Sequence, residues 1–153
     1  MTTKSPAPAF WIFVVFLALS IVLMLVGQTM CVFNYDFTVR YGLQESLEQV
    51  SEYGVQVNRA FGAGDTVVYV PLLMASLVGL WLKKRWSLLA TAAAAGVSAY
   101  WSLTIIFSLL FLPGTPGYSY TPGFEIWSFV GTFALFGVWA LFYLIFRGEE
   151  LLS

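Results

Sequence analysis

The stretch WSLLATAAAAGVSAYWSLTIIFSLLFL, residues 86–112, contains no charged side chain from end to end. It decides the fold, because ~20 consecutive apolar residues in a helix cross the ~30 Å hydrocarbon layer of a bilayer. Three similar runs lie on either side of it, at about 10–32, 66–82 and 124–146. Together they predict an all-α integral membrane protein, a four-transmembrane-helix bundle forming one domain over residues 1–153.

Composition agrees with this solvent. Of the 153 residues, 59% are hydrophobic and 10% are charged, against ~45–50% apolar in ordinary soluble domains. The formal net charge of −1 gives no basic footprint of the kind nucleic acid requires, so no nucleic-acid partner is expected. Cys31 is the single cysteine, which excludes an intrachain disulfide and a CxxC redox pair. Histidine is absent. That removes the commonest general base and the commonest transition-metal ligand, so no metal site and no cofactor are expected.

The basic residues predict orientation. Lys4 precedes the first span, Lys83, Lys84 and Arg85 separate spans two and three, and Arg147 follows span four. With four crossings these fall on one side, which the positive-inside rule assigns to the cytoplasm. The expected topology is therefore N-in/C-in, in a plasma or inner membrane. Span one is too long for the ~7–15-residue core of a cleaved signal and is expected to be retained as the insertion signal.

The outer side receives residues 33–65 and 113–123. Leu43, Leu47, Val50, Gly54 and Val57 recur at steps of four and three, which predicts a short amphipathic helix over about 43–58 in the outer loop between spans one and two. Its other faces carry glutamates, whereas helices on anionic lipid carry Lys and Arg. The stripe is therefore expected to cover the protein's own spans. Phe61-Gly62-Ala63-Gly64-Asp65 reads as a break, after which Asp65 opens span two. Ala75 and Gly79 on span two, with Ala92 and Gly96 on span three, form small-xxx-small pairs that allow membrane helices to pack closely. Three Pro-Gly pairs in 113–123 set turns, and Thr121 with Pro122 reads as the cap of span four.

The polar residues under this outer layer are the candidate ligand-binding set: Asp65, Tyr69, Arg59, Glu125, Gln28, Asp36, Arg40, Asn58 and Tyr100. Asp65 and Tyr69, four apart, share a helix face that Leu72 and Ser76 continue inward. Asp at a helix start also caps it by accepting backbone N–H bonds, and this is the plainer reading of Asp65. Arg59 is placed to pair with Asp65, and Glu125 suits the positive first turn of span four. Tyr100 and Trp101 point to different faces, so only one of them reaches the interior. No catalytic residue can be assigned.

Without histidine, a cysteine pair or an intramembrane charge, the reading that demands least is a non-enzymatic accessory or binding module. It would act through its extracytoplasmic face on a lipid or a membrane-protein partner within the lipid bilayer. The alternative is a carboxylate-dependent membrane enzyme on a lipid-linked substrate at the outer leaflet. A small transporter is disfavoured by spans free of charge, because ion-coupled transport relies on ionisable residues within the membrane.

Overall fold

Apolar segments of this length become helices because only a helix satisfies its own N–H and C=O groups inside lipid. The computed structural model describes residues 8–152, and no strand occurs among them; Lys4 lies outside the described residues. Helix α1 is Pro8–Phe33, α2 is Tyr35–Arg40, α3 is Leu47–Trp81, α4 is Trp86–Phe111 and α5 is Phe124–Leu152. The four long helices α1, α3, α4 and α5 are each long and apolar enough to span a membrane.

Helix α3 packs between α1 and α4, and α4 packs along α5. The α4–α5 contact brings two backbones close together. A Cβ at Gly137 would stand 2.6 Å from the Ala99 backbone nitrogen and 3.0 Å from the Ala95 carbonyl oxygen. The small-residue seam thus joins α4 to α5 through Ala95, Ala99 and Gly137. Between α3 and α4 the Gly79 half of the expected seam packs closely, a Cβ there standing 2.6 Å from the Ser87 Cβ, whereas Gly96 takes no part: nothing lies within 4 Å of a Cβ at Gly96. Alanines on several faces of α4 made either seam compatible with the sequence.

Helices α1 and α5 meet differently, through aromatic rings. Phe16 stacks on Phe136 at 3.5 Å between centroids, and Phe13 lies 5.3 Å from Trp139. At the end of the bundle nearest these rings, the Lys83 ammonium donates to the Leu151 carbonyl at 3.1 Å and sits 4.0 Å over the Phe10 ring. Arg85 pairs with Glu149 there at 2.7 Å.

The opposite end is a knit polar layer. Asn34 Oδ1 accepts from the Phe37 N–H at 3.1 Å and starts α2. Tyr35 donates its hydroxyl to the Glu45 carbonyl at 2.8 Å, while Asn58 donates to both the Tyr35 oxygen at 3.0 Å and the Glu45 carboxylate at 2.8 Å. Burial pushes the Tyr35 phenol above its ordinary pKa, and the Asn58 amide works against that shift. Tyr118 and Tyr120 of the last loop are raised as well, by burial first and then by the nearby Glu45 charge.

The helix expected over about 43–58 is not a separate element: it begins at Leu47, with Leu43 ahead of it, and of the stripe Val50 is buried while Leu43 and Leu47 are exposed. Helix α3 runs unbroken through Gly62, Ala63 and Gly64, so the expected break there is absent. Gly62 serves packing instead, because a Cβ on it would stand 2.5 Å from the Gln28 carbonyl oxygen of α1. The departure from helical geometry lies at Ser51, with φ 62° and ψ 171°. That conformation is close to glycine-only and costs of order 1–3 kcal/mol. The kink turns the Glu48 and Gln49 carbonyls outward, and Ser119 meets both, with its N–H on Gln49 at 2.8 Å and its hydroxyl on Glu48 at 3.2 Å. Ser51→Gly is expected to raise stability by about 1 kcal/mol, read as a higher melting temperature in detergent; an unchanged melt would mean that Ser51 holds no strain.

Two π-helical turns face one another near this end, Met24–Thr29 in α1 and Asp65–Tyr69 in α3. The second has a cause in Pro71, whose ring crowds the carbonyl four residues earlier and removes one helical donor. A wider turn before the proline relieves that clash. Thr66 donates to the Gly62 carbonyl at 2.7 Å and accepts from the Thr29 hydroxyl at 2.9 Å, which ties the two turns together.

Candidate functional site

The wide turn of α3 carries Asp65 into the bundle. Its residue exposure is 7%, and that of Tyr69 is 1%. Neither the Asp65 Oδ2 atom nor the Tyr69 hydroxyl has a hydrogen-bond partner. Asp65 therefore does not cap a helix, which replaces the plainer sequence reading. Trp101 of α4 stands beside the carboxylate and Ser98 beside the phenol. A void of about 10 Å³ adjoins Tyr69 and Ser98, close to the smallest space that holds one water.

Depth gives this cluster its weight. Trp101 stands about 22 Å along α4 from Trp86 and about 15 Å from Phe111 at the helical rise. In a ~30 Å hydrocarbon layer matched to α4, Asp65 falls inside it. On that placement the spans are not free of ionisable residues. A carboxyl group at that depth is rare, expensive and by default functional.

The other candidates do not gather around it. Arg59 is exposed and turns away, donating to the Val32 carbonyl at 3.2 Å and to Gln56 at 3.4 Å. No Arg59–Asp65 pair forms. Gln28 accepts the Cys31 thiol through its backbone carbonyl at 3.0 Å and stays half-buried. Asp36 and Arg40 are exposed in the first and last turns of α2. Asn58 belongs to the Tyr35–Glu45 network. Tyr100 is 72% exposed on the outside of the bundle; its neighbour Trp101 is the interior one. Of the face proposed below Tyr69, Ser76 is buried and donates to the Leu72 carbonyl at 2.6 Å. Among the described residues, no three acidic or cysteine side chains converge as a metal site.

Glu125 occupies a second place, with residues the sequence did not bring forward. It lines a groove of about 370 Å³ between α1 and α5, together with Ser128, Phe129, Thr132 and Phe133. The α1 wall is Phe16, Leu19, Ser20 and Leu23. Large rings at Phe16 and Phe133 hold the two helices apart, 5.0 Å between their centroids. Beyond them the small side chains of Ser20, Ser128 and Thr132 leave the gap unfilled. Thr132 donates back to the Ser128 carbonyl at 2.7 Å. Ser20 is 1% exposed and its hydroxyl has no partner. No protein family matches this chain, and comparisons with curated proteins and with solved structures return no match either. What the site does must therefore be read from its own chemistry. It offers a sideways apolar slot with the Ser128 hydroxyl and the Glu125 carboxylate towards one end.

The signal for Ser20 was present in the sequence as the hydroxyl in the middle of the apolar first span. Ser128 and Thr132, four apart in span four, carried the same signal. A polar residue on a lipid-facing run is informative only when its facing helix is known, and the α1–α5 pairing is not written in any local pattern.

Proposed function

We propose that this chain is a non-enzymatic binding module of a plasma or inner membrane, with both termini cytoplasmic and its acidic layer outside. It receives a lipid, or an apolar segment of a membrane-protein partner, in the α1–α5 groove. The observation that carries this reading is the groove itself. It is bounded by apolar walls from α1 and α5 and carries the exposed Glu125 and Ser128 towards one end, so an amphiphile with an apolar body and a polar end fits it. The positive-inside rule supports the orientation, since Lys83, Lys84 and Arg85 lie at the end opposite Asp36, Glu45, Glu48 and Glu52.

Native mass spectrometry of gently extracted protein tests this. The wild type is expected to retain a bound lipid or a second protein, and Ser128→Leu, which fills the slot from an exposed position, is expected to lose it. A bare wild type, or equal retention by the variant, would contradict the reading.

Asp65 favours a second reading, a small transporter, because an unpaired acid at membrane depth is the usual mark of an ion or proton path. The enzyme reading is the least supported of the three. It needs a second acid beside Asp65, and Glu125 and Asp36 lie elsewhere.

A further inference from the structure

The groove is ordered along its length, and the order matches one class of amphiphile. Glu125 stands in the first turn of α5 at its polar end. Ser128 follows about 4.5 Å deeper and Thr132 about 10 Å deeper at the helical rise. Phe133 and Phe16 close the deep end. An acyl chain suits the rings, and the exposed Ser128 hydroxyl can donate to phosphate or ester oxygens.

Charge then selects the headgroup. Glu125 is the charged residue on the groove wall, and neither Lys nor Arg lines it. A purely anionic headgroup would meet an uncompensated carboxylate. A quaternary ammonium brings charge but no N–H donor, whereas a primary ammonium brings both. We propose that the α1–α5 groove selects a phospholipid with a primary-ammonium headgroup, held through Glu125. This rests on the reading of the groove as the binding site and adds the identity of its occupant.

The test is a titration of the full chain in mild detergent with phospholipids of identical acyl chains and ethanolamine, choline or glycerol headgroups, followed by native mass spectrometry. The ethanolamine lipid is expected to bind about fivefold more tightly than the other two, the scale of a partly exposed ion pair. Glu125→Gln should erase that preference while the chains still bind. Equal binding of the three headgroups, a preference for the glycerol or choline lipid, or a preference that survives Glu125→Gln overturns the headgroup inference. In each of those cases loss of binding in Ser128→Leu leaves the groove reading standing. Binding that is absent from the wild type, or unaffected by Ser128→Leu, overturns both.

Discussion

Gly137→Ala is expected to destabilise the protein by about 2–3 kcal/mol, the upper range for a single overpacked methyl. The new Cβ would press on the Ala99 nitrogen at 2.6 Å and the Ala99 Cα at 2.9 Å. These are backbone atoms of a neighbouring helix and cannot rotate aside, so α4 and α5 must separate. In a membrane this seam matters more than usual, because close packing rather than hydrophobicity drives helix association. Gly131→Ala on the same helix is the control. Nothing lies within 4 Å of a Cβ there, so relief of glycine's backbone entropy should stabilise α5 by about 0.5–1 kcal/mol. Unfolding in mixed micelles, followed by tryptophan fluorescence, reads both. Equal effects of the two substitutions would refute the α4–α5 seam.

Asp65→Leu is expected to work in the opposite direction and stabilise the fold by about 2 kcal/mol, the scale of an unsatisfied buried group. The substitution keeps the approximate size and removes the buried polar atoms, where an amide would leave unmet N–H donors in their place. The Oδ2 atom has no partner to lose, and the contact given up is the one with Trp101. A residue that lowers stability yet occupies the centre of the bundle fits a functional site held at a cost in stability. If Asp65→Leu instead lowers the melting temperature, the carboxylate has a structural partner and the functional reading of this cluster falls.

Four helices long and apolar enough to cross a membrane were legible in the sequence because length and absent charge are global properties that no local packing choice alters. The polar layer was legible too, although its parts were joined differently. Gly62 and Gly64 suggested a break, but glycine permits an irregular backbone without requiring one. In a close-packed bundle the same residue at 62 admits the neighbouring Gln28 carbonyl. The kink fell at Ser51, where the tertiary bonds from Ser119 hold a conformation that local preference opposes.

Asp65 was misplaced for a related reason. Treated as the first residue of a span, it belonged at the water boundary. As part of a helix that begins at Leu47, it sits well below the end of its own helix. The wide turn over Asp65–Tyr69 also changes the phase of the face, since its bonds reach one residue farther than in an α-helix. Tyr100 and Trp101 were correctly assigned to different faces. Which of them turned inward depended on α4 lying against both α3 and α5, a fact with no local signature. The groove was the least legible feature, being the space left by two rings from helices at opposite ends of the chain.

The central claim, that a lipid-like ligand seats between α1 and α5, is tested most directly by photocrosslinking with a diazirine-bearing phospholipid and peptide mapping of the adducts. The account predicts adducts concentrated on Leu19, Leu23, Phe129 and Thr132, and their loss in Ser128→Leu. Adducts spread evenly over outward-facing Val67, Tyr100 and Leu135, with the groove residues no more labelled than these, would contradict it.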